Sequence, residues 1–527
     1  MNITTEIPKV TYTTMSMEEA GAFHAAFDEA LIKVKGEFGA EHSLVIGGRN
    51  AKSARATDDR SPNDQRVILG SFQLATQEHA DEATMAAKQA YREWSAVSYQ
   101  ERVAILRRAA ENFRRDRFEL GALLSIEAGK ARLEAIGEVE EAADLIDTYC
   151  DQIVEHEGYV IKLNQLSSHE VNYSVLRPYG VWAVIAPFNF PVALSTGMIA
   201  GALTAGNTVV FKPAHDTPFT GWFVYRMFAE AGVPAGAINF LTGDGAETGK
   251  ALIESREVDG IVFTGSKEVG YRILRNSILE YPRPCIAEMG GKNPVLVMES
   301  ADIHKAAVGT ARAAFGYGGQ KCSAASRAYI HSGVYDDFVK ELVEYASTLR
   351  VGDPTHADVF MGPVINEPAY RKFGDASAVA RRDGRLLMGG SAIVNENFGH
   401  GFFVEPTIVD GLSEDHSFFS EELFLPFIAL HPVDSLDQAL ALSNRSEFGL
   451  TAGIFTGDES ERTEFFSRMQ AGVLYANREG GATTGAWPGV QSFGGWKGSG
   501  STGKSALGPY YVQQFMREQS QTTVTGE

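Results

Sequence analysis

The sequence predicts an α/β protein with parallel sheets, and two observations support this prediction. From residue 181 onward, short apolar segments such as VWAVI and TVVFK alternate with segments of helical character. Alternation of this kind is typical of βαβ units, in which a helix connects two parallel strands. The chain also has 527 residues, of which 44% are hydrophobic, enough for two or three domains with buried cores.

The N-terminal part of the chain is predicted to be mainly helical. Apolar residues at helical spacing predict a helix over 17–38. Segments rich in Ala, Glu and Arg predict helices over 79–95 and 100–111, followed by one long helix over 118–155. The polar segment 157–175 is predicted to form a β-hairpin.

Four strand–helix pairs follow and predict a first parallel sheet. The strands are expected at 181–188, 207–213, 238–243 and 260–265, and the helices at 192–205, 218–231, 246–254 and 267–277. Ligands of such sheets bind at the carboxyl ends of the strands. Lys212 ends one strand, and Gly265 and Ser266 form a strand-to-helix turn whose free backbone N–H groups are placed to contact a phosphate. The G-x-G-x-x-G fingerprint is absent, so a Rossmann-type dinucleotide domain is predicted from architecture rather than from a motif.

A second α/β pattern begins at Cys285 and predicts a second, catalytic domain. Its strands are expected at 293–299, 401–409, 427–433, 453–457 and 472–478, and its helices at 302–315, 335–349 and 370–383. A glycine-rich loop over 480–500 and a polar tail follow. We therefore divide the chain into a dinucleotide-binding domain, 1–156 with 178–287, and a catalytic domain, 288–495.

Charge and composition argue against several classes of partner. The net charge of -20 disfavours nucleic acid and anionic membranes, which need clustered Lys and Arg. The charge-free segment after Arg177 contains Pro187, Asn189 and Pro191, which break any membrane-spanning helix. Three scattered cysteines are too few for a disulfide framework or a Cys-based zinc site, and they fit a reducing cytoplasm. No metal site and no secretory signal are expected.

Three residues are candidates for chemistry, and each has a plain structural alternative. Cys322 follows Lys321 in a run of small residues, as a reactive thiolate beside a cation would, but an inert small thiol is also consistent. Glu288 lies among apolar residues, which favours a raised pKa and a general base; a solvated or capping acid is the alternative. Asn189 lies in PFNFP, where its NH₂ group is suited to an oxyanion or simply to a turn.

Taken together, the motifs resemble those of the aldehyde dehydrogenase superfamily. They are PFNFP (187–191), GNTVVFKPA (206–214), FTGS (263–266), EMGGKNP (288–294), GQKCS (319–323), EELF (421–424) and SFGGWKGSG (492–500). The resemblance implies that Cys322 is the nucleophile, that Glu288 is the base, and that Asn189 and the Cys322 N–H form the oxyanion hole.

The same resemblance implies an NAD site. Lys212 would hold the adenine ribose, Gly265 and Ser266 the pyrophosphate, and Glu422 and Phe424 the nicotinamide ribose and ring; Ile185, Pro187 and Phe188 would complete the site. His215 stands where many members carry a ribose-binding Glu. A Glu would repel a 2′-phosphate and a His would not, so NADP is also possible.

Within the superfamily, AGK (128–130), KCSAASR (321–327) and TTGAWPGVQSFGG (483–495) resemble the Δ1-pyrroline-5-carboxylate dehydrogenases. This implies oxidation of L-glutamate γ-semialdehyde to L-glutamate, through a cysteine thiohemiacetal and thioester, in proline degradation. The carboxylate-bearing aldehyde would be bound by Lys321, Ser323, Thr484, Gly485, Ala486 and Phe493. Trp487 departs from the branch pattern, so another semialdehyde or an aromatic aldehyde is the alternative substrate.

Two further functions stay open at this level. One is thioester transfer to coenzyme A; Glu288 argues against it, because a member that hydrolyses the thioester needs such a base. The other is a catalytically silent protein; the presence of both Cys322 and Glu288 argues against that. The resemblance also implies that 157–177 and 506–527 form a β-hairpin oligomerisation element. An apolar hairpin edge that stays exposed to solvent can pair with other chains and aggregate, so we expect a homodimer or a higher homo-oligomer that covers it.

Overall fold

The computed structural model describes residues 9–11, 17–396, 398–479 and 486–525. The N-terminal part contains α1 (Met17–Lys35), β1 (Ala40–His42), β2 (Leu44–Ile46), β3 (Arg49–Ala51), β4 (Ala56–Arg60) and β5 (Ile68–Gln73). Four helices follow: α2 (Gln77–Trp94), α3 (Tyr99–Arg115), α4 (Arg117–Glu127) and α5 (Arg132–Glu155). Helix α3 begins with a capping box in which Ser98 and Glu101 accept each other's backbone N–H groups.

The single helix predicted over 118–155 is wrong, because the chain breaks between α4 and α5. Gly129 has a φ of +75°, a left-handed conformation that glycine adopts without a steric penalty. The N–H of Lys130 returns to the carbonyl of Leu124 (3.4 Å), which closes the end of α4. The break turns Lys130 into the interior, where its side chain is fully buried.

The first large sheet has seven strands in the order β12-β11-β8-β9-β10-β2-β3. Its parallel strands are β8 (Val181–Ile185), β9 (Thr208–Lys212), β10 (Ile238–Phe240), β11 (Gly260–Thr264) and β12 (Cys285–Glu288). The helices between them are α6 (Ala193–Ala205), α7 (Pro218–Glu230), α8 (Lys250–Glu254) and α9 (Lys267–Arg275). The helix predicted over 246–254 begins instead with a π-helical turn at Gly245–Gly249.

Both faces of this sheet are buried, as expected for a parallel sheet with helices on either side. Along β8, Trp182 and Val184 belong to one core, while Val181, Ala183 and Ile185 belong to the core on the opposite face. The continuous apolar segment in the sequence therefore reflects burial on two faces and not a membrane span. Within the described residues, no helix combines the length and the apolar character that crossing a membrane requires.

The second large sheet also has seven strands, in the order β15-β16-β17-β14-β13-β19-β20. Its strands are β13 (Asn293–Val297), β14 (Ala325–His331), β15 (Arg385–Met388), β16 (Thr407–Asp410), β17 (Phe427–Val433), β19 (Thr451–Phe455) and β20 (Val473–Ala476). Its helices are α10 (Ile303–Phe315), α11 (Tyr335–Ser347), α12 (Glu367–Asp383), α13 (Leu436–Asn444) and α14 (Glu459–Arg468). Two short strands, β18 (Phe448–Gly449) and β21 (Trp496–Lys497), pair with each other.

The strand predicted over 401–409 is too long. The strand is limited to Thr407–Asp410, of which Thr407, Ile408 and Val409 pair with β17, because Pro406 just before it has no N–H to donate to a neighbouring strand. The predicted α/β class with two such sheets is confirmed.

A smaller antiparallel sheet is built from distant parts of the chain. It contains β6 (Val160–Lys162), β7 (Glu170–Pro178) and the C-terminal β22 (Met516–Val524). β22 pairs with β7 over nine residues, from Met516 opposite Pro178 to Val524 opposite Glu170. The segment before β22 is not a solvated tail: Tyr511, Val512 and Phe515 are buried in the core of the first domain.

Candidate active site

Cys322 lies on a tight turn between α10 and β14. After α10, Tyr317, Gly318 and Gly319 all have positive φ angles (+52°, +63° and +67°), which redirects the chain sharply. A side chain at Gly319 would collide with the carbonyl of Leu425, so the turn needs glycine there. The carbonyl of Lys321 then accepts the N–H of Ala324 (3.0 Å), which closes a turn with Cys322 at its second position. We call residues 320–324 the nucleophile turn.

Burial and nearby acidic side chains disfavour the thiolate form of Cys322. Burial raises its pKa to about 12, and the nearby carboxylates of Glu422 and Glu288 act in the same direction. The backbone N–H groups of Ser323 and Cys322 oppose this shift by donating to the sulfur. The turn therefore directs two amide donors at the atom that would carry the negative charge.

Glu288 ends strand β12 and lines the same cavity as Cys322. Its Oε2 accepts the N–H of Gly495 at 3.3 Å. Burial raises the pKa of this carboxyl well above its usual range, and the Gly495 bond only partly offsets that effect. A carboxyl with a raised pKa in a largely apolar cavity is the environment expected for a general base.

Asn189 reaches the nucleophile turn from the first domain. It lies in the loop after β8, its side chain is 4% exposed, and its Nδ2 donates to the carbonyl of Gln320 at 3.0 Å. This bond uses one of the two N–H groups of the amide. Asn189 is therefore brought to the nucleophile turn from a part of the sequence more than a hundred positions before Cys322.

The cavity around Cys322 is lined mainly by apolar and aromatic side chains. Its lining includes, among others, Leu145, Tyr149, Phe190, Met198, Phe263, Ile286, Ala506, Leu507 and Tyr511. Of the predicted substrate residues, Lys321, Ser323, Ala486 and Phe493 contribute to the lining. Thr484 and Gly485 lie outside the described residues. The indole N–H of Trp487 donates to Asp144 on α5 at 2.7 Å. Trp487 does not belong to the cavity lining, so it does not narrow the cavity.

The predicted cofactor residues lie at the carboxyl edge of the first sheet. Lys212 is buried at the end of β9, and its Nζ donates to the carbonyl of Pro213 at 3.1 Å. Burial lowers the pKa of Lys212 to about 8, while Asp244 and Asp216 act in the opposite direction. Ile185 ends β8 directly opposite Lys212, so both residues face the same edge of the sheet.

The expected role of Gly265 as a free N–H donor is wrong. Its N–H already donates to the carbonyl of Glu288 at 3.1 Å, because β11 and β12 continue their pairing to this point. Ser266 instead caps α9, and its Oγ accepts the N–H of Val269 at 3.4 Å. Any phosphate at this turn would meet the N-terminus of α9 rather than the N–H of Gly265.

Glu422 and Phe424 approach this region from the second domain. Oε1 of Glu422 accepts the N–H of Gly291 at 2.8 Å, and burial raises the pKa of Glu422 to about 7. The ring of Phe424 meets the ring of Phe188, which follows Pro187, edge to face at 5.9 Å. Loops associated with both large sheets therefore meet in one region, which we call the cleft.

The sequence of residues 49–521 matches the Aldehyde dehydrogenase family. The chain belongs to this family. It is similar over 523 residues, at 37% identity, to a 1-pyrroline-5-carboxylate dehydrogenase of Bacillus licheniformis, with 98% of each chain covered. It is 38% identical over 499 residues to 1-pyrroline-5-carboxylate dehydrogenase 2 of Bacillus subtilis, covering 93% of this chain and 95% of that one.

Solved structures agree with these sequence relatives. A crystal structure of 1-pyrroline-5-carboxylate dehydrogenase from Thermus with bound NAD superposes with a TM-score of 0.91 at 34% identity, covering 97% of this chain and 98% of that one. The predicted family and fold are confirmed.

The cleft of this aldehyde dehydrogenase has the chemical features that a nicotinamide dinucleotide needs. Lys212 offers a buried ammonium group, α9 offers its N-terminus, and the rings of Phe188 and Phe424 offer an apolar surface. Among the described residues, no group of three or more His, Cys, Asp or Glu side chains is arranged to hold a metal ion.

Sequence reasoning missed a buried ionic cluster behind the oxyanion residue. Lys130 Nζ lies 2.6 Å from Oε2 of Glu138, and both side chains are fully buried. The other oxygen of Glu138 accepts the N–H groups of Val192 and Ala193 (2.8 and 3.2 Å) at the start of α6. Lys130 also lies 3.5 Å from the ring centre of Phe190, which follows Asn189. The AGK triplet (128–130) was part of the resemblance to the Δ1-pyrroline-5-carboxylate dehydrogenases. The sequence did not reveal its structural role, which depends on the conformation of Gly129.

Proposed function

We propose that this chain oxidises L-glutamate γ-semialdehyde, the open form of Δ1-pyrroline-5-carboxylate, to L-glutamate in proline degradation. The observation that carries this proposal is that Cys322 and Glu288 line one cavity, while Asn189 donates to the Gln320 carbonyl of the nucleophile turn beside it. The Bacillus relatives and the Thermus structure, named as 1-pyrroline-5-carboxylate dehydrogenases over nearly their whole length, support this substrate.

The reaction follows from the placement of these side chains. The Cys322 thiol first loses its proton to solvent. The thiolate then attacks the aldehyde carbon, and the resulting oxyanion accepts hydrogen bonds from the Cys322 N–H and from the second N–H of Asn189. A bound nicotinamide would supply the hydride acceptor for this thiohemiacetal, and loss of the hydride would leave a thioester on Cys322. The Glu288 carboxylate takes a proton from water, and the hydroxide attacks the thioester carbon. Cys322 leaves as the thiolate and the carboxylic acid is released.

The cavity suits an aldehyde that carries an amino-acid head group. Its apolar walls, including Phe493 and Phe190, fit the carbon chain of the substrate. Glu141 also lines the cavity, and its carboxyl complements an ammonium group. Lys321 forms an ion pair with Glu134 (2.5 Å), which orients its side chain beside the nucleophile. We assign the substrate carboxylate to Ser323 and Ala486, with Thr484 and Gly485.

We propose NAD as the preferred cofactor over NADP. Asp216 and Asp244 both interact electrostatically with Lys212, which is the proposed ribose ligand. Each of these carboxyls, when ionised, would repel a 2′-phosphate, although burial raises the pKa of Asp216. The test is a comparison of kcat/KM with NAD and NADP, in which a preference for NADP would contradict the assignment.

We propose that segments 157–177 and 506–527 form the oligomer interface, at least in a dimer, and that the enzyme works in the cytoplasm. The small sheet exposes Ile161 (59%) and Val524 (68%), and the loop between β6 and β7 exposes Leu166 (98%), all of which a partner would cover. All three cysteines are unpaired, which fits a reducing compartment. Light scattering of the purified protein would contradict the interface if it found a monomer.

An aromatic aldehyde or another semialdehyde is the second candidate, favoured by the aromatic side chains around Cys322. Purified protein should be assayed for NADH formation with pyrroline-5-carboxylate, succinate semialdehyde and benzaldehyde. We expect kcat/KM to be at least about tenfold higher with pyrroline-5-carboxylate, because only that substrate meets the proposed carboxylate and ammonium contacts. A comparable preference for either alternative would overturn the substrate assignment.

A further inference from the structure

Asn293 makes three hydrogen bonds that hold the nucleophile turn. Its Nδ2 donates to the carbonyl of Cys322 (2.7 Å) and to the carbonyl of Ala324 (2.9 Å). Its Oδ1 accepts the backbone N–H of Thr451 at 3.0 Å. The side chain is 3% exposed, and two acceptors on one side with one donor on the other fix the orientation of the amide.

The other carbonyls of the nucleophile turn are held as well. Lys321 accepts the N–H of Ala324 at 3.0 Å, and Ser323 accepts the hydroxyl of Thr451 at 3.3 Å. With the Asn189 bond to Gln320, every carbonyl from residue 320 to residue 324 has a donor. Asn293 begins β13 and Thr451 begins β19, so two neighbouring strands of the second sheet anchor the turn.

The direction of these carbonyls decides where the N–H groups point. In a trans peptide, the C=O of one residue and the N–H of the next point in opposite directions. Because the Cys322 carbonyl is held by Asn293, the N–H of Ser323 is turned to the other side, where it donates to the sulfur. The Lys321 carbonyl, held by Ala324, fixes the N–H of Cys322 in the same way.

We propose that Asn293 is a positioning residue for the nucleophile, which keeps the Cys322 carbonyl turned away from the cavity and the N–H groups of Ser323 and Cys322 turned toward it. This inference rests on the proposed function, in which Cys322 is the nucleophile. Asn293 touches neither substrate nor cofactor in this assignment; it acts only through the backbone of the turn.

The close packing around the turn supports a specific role for the amide. A side chain at Gly291 would collide with the Cys322 carbonyl, so the segment just before β13 and the nucleophile turn approach each other at backbone distance. An aspartate at 293 would match the shape of Asn293 and still accept from Thr451, but when ionised it offers no donor to the two carbonyls. Freed from its donor, the Cys322 carbonyl can rotate toward the thiolate, which it repels.

The test measures the reactivity of Cys322 without requiring turnover. Wild-type protein and the Asn293→Asp, Asn293→Ala and Asn293→Ser variants are treated with iodoacetamide between about pH 6 and 10. Modification of Cys322 is followed by peptide mass spectrometry, because Cys150 and Cys285 are also free thiols. We expect Asn293→Asp and Asn293→Ala to lower the alkylation rate about tenfold throughout this pH range, the effect of a thiol pKa raised by about one unit. Asn293→Ser, with one donor on a shorter side chain, should show a smaller shift.

A matched control separates positioning from general stability. Asn239 is also fully buried, donates to two carbonyls (Val209 and Gly236, 3.3 and 2.8 Å) and accepts one N–H (Gly47, 2.8 Å), but it lies in the first sheet. Asn239→Asp should lower thermal stability and leave the Cys322 pH profile unchanged.

In the Asn293 variants, kcat should fall about tenfold or more while NAD affinity, measured by fluorescence quenching, stays at the wild-type value.

Two outcomes would overturn the inference. One is a Cys322 profile in the folded Asn293 variants that matches the wild type. The other is an equal shift in Asn239→Asp, which would show that any buried Asn loss has the same effect. If Asn293→Asp and Asn293→Ala do not fold, the profile of the milder Asn293→Ser variant decides in the same manner. Failure of the proposed function is distinguishable, because it would appear as turnover that persists in a Cys322→Ala variant.

Discussion

The indole Nε1 of Trp487 donates a hydrogen bond to Oδ2 of Asp144 at 2.7 Å. Asp144 lies on α5, the helix that also supplies Glu141, Leu145 and Tyr149 to the cavity lining. Trp487 directly follows Ala486 in the sequence, and Ala486 is part of that lining. Asp144 is held in turn by Arg114 (3.1 Å) and Lys9. Trp487 therefore links the predicted substrate-anchor segment to α5, a helix that also lines the cavity.

Loss of this hydrogen bond should weaken substrate binding more than it slows the chemistry. In Trp487→Phe the ring is kept and the N–H is lost, so Ala486 is held less firmly against the cavity. We expect KM for the carboxylate-bearing aldehyde to rise about threefold to tenfold, in line with roughly 1 kcal/mol for one hydrogen bond, with kcat little changed. Asp144→Asn should act in the same direction.

The control for this prediction is Trp222→Phe, an indole on α7 that packs against His42 and Phe223 and does not belong to the cavity lining. It should leave KM unaltered. A Trp487→Phe variant with wild-type KM for pyrroline-5-carboxylate, measured by steady-state kinetics, would show that the link to α5 has no part in substrate binding.

Replacement of Cys322 by alanine should abolish oxidation. Without the thiol there is no covalent adduct, and we expect turnover to fall below about one thousandth of the wild-type rate. NAD binding should persist, because the proposed cofactor contacts come from Lys212, α9 and Phe424. Cys285→Ala is the matched control: it also removes a free thiol, and its activity should stay near that of the wild type. Residual wild-type turnover in Cys322→Ala would refute the nucleophile assignment.

Much of the fold was predictable because strand–helix alternation and burial follow directly from composition. Strands β8, β9 and β11 fall within their predicted segments, and α6 starts within one residue of its prediction. The site trio was predictable only through the resemblance of its motifs, since Cys322, Glu288 and Asn189 each had a structural alternative when taken alone.

The remaining features depend on contacts between distant residues. Helical propensity favours one helix over 118–155, but Gly129 ends α4 because its left-handed conformation allows Lys130 to turn inward toward Glu138. The N–H of Gly265 is used by Glu288 because of strand pairing, which no local pattern reveals. The bond between Asn293 and Cys322 likewise joins positions that have no motif in common.

Replacement of Glu288 by glutamine should stop the reaction after its first half. Glutamine cannot take a proton from water, so hydrolysis of the thioester should slow by about 10²–10⁴-fold. Thioester formation does not need this base in our assignment. Stopped-flow measurements should therefore show a burst of NADH in the first turnover followed by a very slow steady rate. A variant with no burst would place Glu288 in the first half of the reaction instead.

The same substitution should change how stability depends on pH. The folded-state pKa of Glu288 is raised above its unfolded value of 4.5, so the folded state binds the proton more tightly than the unfolded chain. Stability contributed by this carboxyl is complete below pH 4.5 and is lost as the pH rises through the folded pKa. Glu288→Gln escapes this loss, so its Tm should exceed that of the wild type at pH 8, by roughly 2 °C, and approach it toward pH 4.5. Calorimetry showing the opposite trend would contradict the burial of an ionisable Glu288.

Lys130→Met should be among the most destabilising single changes in the first domain. It leaves the carboxylate of Glu138 buried without its cation, at the start of α6 and beside Phe190 in the cavity lining. Removal of one partner of a buried pair costs about 3–5 kcal/mol, whereas removal of both costs much less, because no uncompensated charge remains. The double variant Lys130→Met/Glu138→Gln should therefore recover much of the stability lost in the single variant, as measured by urea unfolding.

Lys340→Met, which breaks an exposed pair with Glu344 (4.0 Å), should cost less than about 1 kcal/mol. Equal losses in Lys130→Met and Lys340→Met would show that burial of the Lys130–Glu138 pair carries no energetic weight.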